Sequence, residues 1–272
     1  MLVREVSCKS ILTRCRISGV DYALNPYVGC QHGCIYCYAV FMKRFTGHRE
    51  AWGQFVDAKV NAPEVLARQI RRARPGNITV GTVTDAYQPL ERKYRLTRRC
   101  LESLVPRSDC PTTILTKSDL VLRDLDVLRQ MTEPEVAFTV TTLDEAVREG
   151  FEPGASTVQR RLEALAQLHA AGIRTWAFFG PVLPGFSDSE SAVDAMFAAL
   201  ARVGVSHVLV DKLNAKGGSW WNQLCRGLAR TYPDAEQGFR LALADEAGYA
   251  RSLADRVERA GRRHRLELRL AF

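Results

Sequence analysis

Three cysteines, Cys30, Cys34 and Cys37, fall within eight residues of one another inside the run NPYVGCQHGCIYCYA at 25–39. Thiolates are soft ligands suited to iron, and Gly29 and Gly33 let a backbone wrap a compact object. An iron–sulfur cube is ordinarily held by four cysteines, so three would leave one iron of a [4Fe-4S] cluster open. An open iron can chelate the amino and carboxylate groups of S-adenosylmethionine (SAM). One electron passed to the sulfonium then breaks a carbon–sulfur bond and gives a 5′-deoxyadenosyl radical.

Other readings of the same thiols stay open. They are small buried core residues, a zinc site completed by His32, or an electron-transfer cluster recruiting Cys8, Cys15, Cys100, Cys110 or Cys225. A chain of the latter kinds would be a non-catalytic iron–sulfur or zinc protein that binds nucleic acid.

Composition narrows the class. With 272 residues, 46% of them hydrophobic and 25% charged, the chain is ordinary globular material and not fibrous, disordered or low-complexity. The start, MLVREVSCKSILTR, lacks the apolar run of a secretory leader, and no stretch approaches the roughly 18 apolar residues of a membrane span. A cytoplasmic protein without membrane partners is expected, in which eight cysteines serve as ligands, thiols or core rather than disulfides. The net charge is +8, with basic groups at Arg68, Arg71, Arg72 and Arg74; at Arg92, Lys93, Arg95, Arg98 and Arg99; and at Arg259, Arg262, Arg263 and Arg265. Such groups serve equally as solvated helix faces or as a surface that steers a polyanion, DNA or RNA.

Something must hold the cysteine loop. Short runs rich in Val, Ile, Thr and Phe at 22–27, 77–83, 111–117, 135–142, 174–182 and 207–213 read as strands. Helical periodicity fills 63–74, 91–105, 119–131, 157–171 and 189–203, with Ser118 and Ser187 as caps and Gly172 and Gly204 as stops. The pattern predicts an α/β fold: a partial (β/α)6 TIM-like barrel with ligand-binding loops at the strand C-termini. Helices at 219–232 and 234–263 and a strand at 266–272 make a C-terminal helical extension. Soft boundaries divide an N-terminal extension (1–21), the partial barrel (22–214) and a helical closure (215–272), all within one domain.

The cysteine spacing followed by Tyr38 resembles the radical SAM superfamily. The wider run, with KSILTR at 9–14, GTVTDAYQPLE at 81–91 and ILTKSDLVLRDLDVL at 114–128, is similar to its branch related to spore photoproduct lyase. This resemblance implies cluster ligation by Cys30, Cys34 and Cys37 and a SAM site made by the strand-end loops. Thr84 and Asp85 would contact the amino group of SAM, Lys117 and Ser118 its carboxylate, and Thr141, with Thr139 and Thr142, its ribose. A flavodoxin or ferredoxin-type reductant and a nucleic-acid substrate are implied with them. One departure stands out: the lyase carries a hydrogen-donating cysteine after its second strand, where this chain has Thr82. A Thr O–H bond is too strong for that role, so Cys100, Cys110 or Cys225 would have to substitute. Trp220, Trp221, Asn222 and Arg226 are a further candidate for stacking on a base.

Overall fold

A computed structural model describes residues 1–215 and 217–272. The chain opens with β1 (Leu2–Val6), β2 (Leu12–Arg14), β3 (Tyr22–Leu24), β4 (Tyr27–Val28) and β5 (Phe55–Lys59). Helices and strands then alternate: α1 (Ala62–Ile70), β6 (Ile78–Val80), α2 (Glu91–Tyr94), α3 (Leu96–Leu104), β7 (Thr112–Thr116), α4 (Leu125–Leu128), β8 (Glu135–Thr139), α5 (Glu145–Phe151), α6 (Val158–Ala170), β9 (Arg174–Val182), α7 (Glu190–Arg202) and β10 (His207–Lys212). After them come α8 (Gly218–Thr231), α9 (Glu236–Ala244), α10 (Glu246–His264) and β11 (Glu267–Leu270).

Six strands, β3, β6, β7, β8, β9 and β10, lie side by side and parallel in chain order, which is the α/β array expected. At one edge β11 pairs parallel with β10; at the other β2 pairs antiparallel with β3. Parallel strands with helices on their faces are buried on both sides, which is why β9 carries the near-continuous apolar run Trp176 to Phe179. Ile114, Phe138, Phe179 and Val210 are fully buried in the main core, against Leu101 of α3, Leu165 of α6 and Phe197 of α7. The C-terminal part packs on the array through α10, which touches α7 and β10. Among the described residues no helix is long and apolar enough to cross a membrane.

The expected strand at 22–27 is divided. Tyr22–Leu24 pairs in the main sheet, while Tyr27–Val28 pairs antiparallel with β5 in a second sheet of order β1-β5-β4. Between them, Pro26 has no N–H to give a ladder, and the chain changes sheets there. The cysteine loop therefore starts at the junction of the two sheets.

Other expectations are corrected at caps. The helix expected at 234–263 breaks where Asp245 accepts from the Gly248 N–H at 2.9 Å and starts α10. The one at 91–105 breaks at Arg95, whose φ of 51° ends α2. Residues 119–131 form a 3-10 turn at Asp119–Asp124 before α4, capped as expected by Ser118. Ser189, not Ser187, caps α7; the Ser187 hydroxyl is buried and accepts from the Leu183 N–H at 2.9 Å. Gly172 and Gly204 do stop their helices, at φ of 80° and 75°.

Two buried ionisable groups lend themselves to measurement. Arg161 of α6 is fully buried and reaches Glu152, equally buried, at 2.5 Å. Arg161→Leu leaves that carboxylate without its counter-charge, with an expected loss of about 3–5 kcal/mol in unfolding free energy read from urea denaturation. His207, at the start of β10, stacks on Trp176 at 5.1 Å and lies 3.2 Å from Arg269 Nη1. Burial first, then the Arg269 charge, pushes its pKa from 6.5 down to about 4. The unfolded chain therefore takes up this proton at a higher pH than the folded one. Stability from this site is full above the ordinary histidine range and falls as pH drops from about 6.5 to about 4. His207→Asn should show a flatter stability profile across that window than the parent.

Candidate functional site

β4 delivers the chain to Gly29, where φ is 85° and an added Cβ would lie 2.4 Å from the Phe55 carbonyl, so only glycine fits. Cys30 and Cys34 follow as buried residues and Cys37 is half-buried. Two turns shape the loop: the Gly33 N–H donates to the Cys30 carbonyl at 3.3 Å and the Cys37 N–H to the Cys34 carbonyl at 3.2 Å.

Distant elements supply the remaining partners of this backbone. The Thr84 hydroxyl donates to the Gly29 carbonyl at 2.6 Å, joined by Gln88 Nε2 at 3.3 Å. The Gln31 N–H donates to Gln88 Oε1 at 2.9 Å, and the Gly154 N–H to the His32 carbonyl at 3.0 Å. From α8, Gln223 Nε2 donates to the carbonyls of Cys34 and Ile35 at 3.2 and 3.3 Å, and Trp220 Nε1 to that of Tyr36 at 2.8 Å. Beneath the loop the Tyr36 hydroxyl donates to Glu152, the partner of Arg161.

The three thiols face one cavity together with Thr84, Asp85 and Lys117, from the ends of β6 and β7. Burial pushes the Cys30 thiol up to about 12, helped by the negative charge of Asp85. Burial likewise raises Cys34 and Cys37, with Lys117 opposing in both. Burial alone would lower the Lys117 pKa, but Cys34, Glu152 and Asp85 outweigh it, so the ammonium is retained. Burial also works to raise Asp85, yet the His32 ring at 3.3 Å, the Thr116 hydroxyl at 2.7 Å and the Lys117 N–H at 2.8 Å hold its carboxyl well below the usual range.

Other predicted residues have different placements. The Ser118 hydroxyl caps its 3-10 turn, and Thr141 donates to Glu152 Oε1 at 3.1 Å; neither lies on the cavity wall. Thr82 does, its hydroxyl accepting from Asn25 Nδ2 at 2.9 Å. Among the described residues the cavity-lining cysteines are Cys30, Cys34 and Cys37, whereas Cys100 and Cys110 belong to the main core and Cys225 sits on α8. Trp220 is buried on the cysteine loop while Trp221 lies against Arg240 at 4.9 Å, so they do not form one exposed stacking patch. Sequence reasoning missed Asp211, Lys212 and Asn214, which line the cavity from the end of β10. Their place at the C-terminus of an expected strand was the available signal.

Residues 24–198 match the model of the Radical SAM superfamily. An uncharacterized protein of Methanocaldococcus jannaschii is 34% identical over 186 residues, covering 68% of this chain and 70% of that one. A radical SAM Nα-GlyT isomerase of Pseudomonas phage M6 is 26% identical over 240 residues, 86% of this chain and 48% of the phage protein. Spore photoproduct lyase complexed with dinucleoside spore photoproduct shares the fold, with a TM-score of 0.75 at 17% identity, covering 99% of this chain and 82% of the lyase. The chain belongs to the radical SAM superfamily, whose members are enzymes that use a [4Fe-4S] cluster and SAM.

Proposed function

We propose that Cys30, Cys34 and Cys37 hold a [4Fe-4S] cluster, that SAM binds beside it in the same cavity, and that the chain acts on nucleic acid. The observation that carries the reading is the cavity itself, whose lining takes in all three cysteines and Lys117, just past the end of β7. The donor set fits the group. Three soft thiolates lining one cavity suit iron. In a cube each thiolate takes a different iron. When bound, the cluster and SAM supply one-electron cleavage of the sulfonium to a 5′-deoxyadenosyl radical.

The chain's own residues divide the remaining work. Lys117 offers its charge to the carboxylate of SAM. Thr84 fixes the Gly29 carbonyl, and Asp85, with both oxygens engaged by its neighbours, anchors the Lys117 backbone and His32. Both act by positioning. Ser118 and Thr141, outside the cavity lining, support the turn and the Glu152 carboxylate. A nucleic-acid substrate is supported by the net charge of +8 and by the fold shared with a lyase crystallised with a dinucleoside. Thr82 on the wall argues against dimer repair by a thiol at that position. A flavodoxin or ferredoxin-type protein is the proposed electron source.

Anaerobic reconstitution should give close to four irons and four sulfides per chain, and dithionite with SAM should release 5′-deoxyadenosine and methionine. Cys34→Ala should abolish both products. Lys117→Ala should raise the half-saturating SAM concentration about tenfold or more, the scale of one hydrogen bond to a charged group. Products undiminished in Cys34→Ala, or none from the parent, would overturn the assignment.

A further inference from the structure

Directly after Cys37 the chain makes an eight-residue 3-10 segment, Tyr38–Phe45, of sequence YAVFMKRF. Its rings form a continuous stack. Tyr38, which lines the cavity, is stacked on Phe41 at 6.4 Å and 24° between planes. The Arg44 guanidinium lies over Phe41 at 5.5 Å and over Phe45 at 4.6 Å. Both ends are open to solvent, Tyr38 at 43% and Phe45 at 66%. The ladder thus runs from the cavity rim outward.

Its charge is one-sided. Residues 38–49 contain Lys43, Arg44 and Arg49 and no Asp or Glu, and Glu50, the next residue, turns its carboxylate to the His48 ring at 3.2 Å and the Arg49 N–H at 3.1 Å. The Lys43 ammonium donates to the Arg49 carbonyl at 2.9 Å, and the Arg44 charge faces rings. Some basic residues singled out elsewhere are engaged, Arg98 with Asp124 and Asp126, Arg259 with Glu190, and Arg263 with Asp194; those at 68–74 are unpaired among the described residues, but no ring ladder accompanies them there. Planar groups interleaved with uncompensated cations suit bases that stack while their phosphates meet Lys43 and Arg49. A lipid surface would instead take bulky apolar side chains free of charge, and here a guanidinium covers both rings.

We propose that Tyr38, Phe41, Arg44 and Phe45 form a stacking platform for single-stranded nucleic acid, which leads one nucleotide past Tyr38 into the cavity. The inference rests on the nucleic-acid reading above and deepens it to a single-stranded or locally opened substrate. Stacking on π faces is tolerant of sequence, so the platform supplies affinity and register while the cavity supplies selection.

The test uses fluorescence anisotropy of the reconstituted full chain with a labelled mixed-sequence DNA strand of roughly sixteen nucleotides, across a salt series. Phe45→Ala should bind about tenfold more weakly with the same salt slope, since it removes stacking and no charge. Arg44→Ala should weaken binding and flatten the slope of log K against log salt by about 0.7, one released counterion. Arg44→Lys should restore the slope and not the affinity, because it keeps the charge and loses the planar fork. Arg251→Ala, an exposed change on α10, should bind like the parent. Thermal unfolding midpoints confirm that each variant folds, and the Arg44 pair keeps the test alive if Phe45→Ala does not. Parent-like binding by Phe45→Ala and Arg44→Ala would overturn the platform and leave the nucleic-acid reading standing. A parent that binds no strand at low salt, or binds phosphatidylserine vesicles instead, would overturn both.

Discussion

Burying an irregular stretch of chain is the constraint around which this molecule is arranged. Residues 30–37 form a loop whose cysteines are largely withdrawn from water, and loop backbone placed there must find partners for every N–H and carbonyl. Those partners come from segments far apart in sequence. The segment after β6 gives Thr84 and Gln88, the stretch after α5 gives Gly154, and α8 gives Gln223 and Trp220. Withdrawing Gln88, Gln223 or Trp220 would leave a backbone carbonyl or N–H of the loop unmet, at a cost of about 1–3 kcal/mol each. Three thiols stay fixed against one cavity because three other segments share the task.

A second layer sits below. Tyr36 hands its hydroxyl hydrogen to Glu152, which Arg161 neutralises, and Arg161 Nη1 also donates to the Thr139 carbonyl at 3.0 Å as β8 ends. The cysteine loop is thereby tied to the parallel sheet through a buried ion pair. The same Glu152 carries one of the charges that keep Lys117 protonated. Structural support and site electrostatics are therefore properties of one carboxylate.

How much of this could be read in advance depended on the range of the interaction. The parallel array was legible because β-branched and aromatic runs such as those of β7 and β9 alternate with capped helical periods, and both signals are local. The cysteine spacing was legible for the same reason. β1 and β5 were not, since LVREV and FVDAK acquire their strand character from pairing with each other across about fifty residues. Ser187 and Ser189 are two residues apart and chemically identical as caps; which one the helix takes is set by where Leu183 needs a hydrogen-bond partner. Glu152 and Arg161 carried no sequence signal, because nothing in residue type separates a solvated pair from a buried one.

The basic surplus shows the same limit. On composition alone the groups at 68–74, 92–99 and 259–265 carry the excess, but within them Arg98, Arg259 and Arg263 are held by acids from neighbouring helices or loops. Paired charges contribute little net field at a distance, and exposed ones are screened beyond about 8–10 Å. What steers a polyanion toward a given opening is uncompensated charge close to that opening. In this molecule the stretch after Cys37 starts on the cavity at Tyr38 and goes on to carry Lys43, Arg44 and Arg49, without a carboxylate among residues 38–49. Where the positive residues end up, rather than how many there are, decides what the fold can attract.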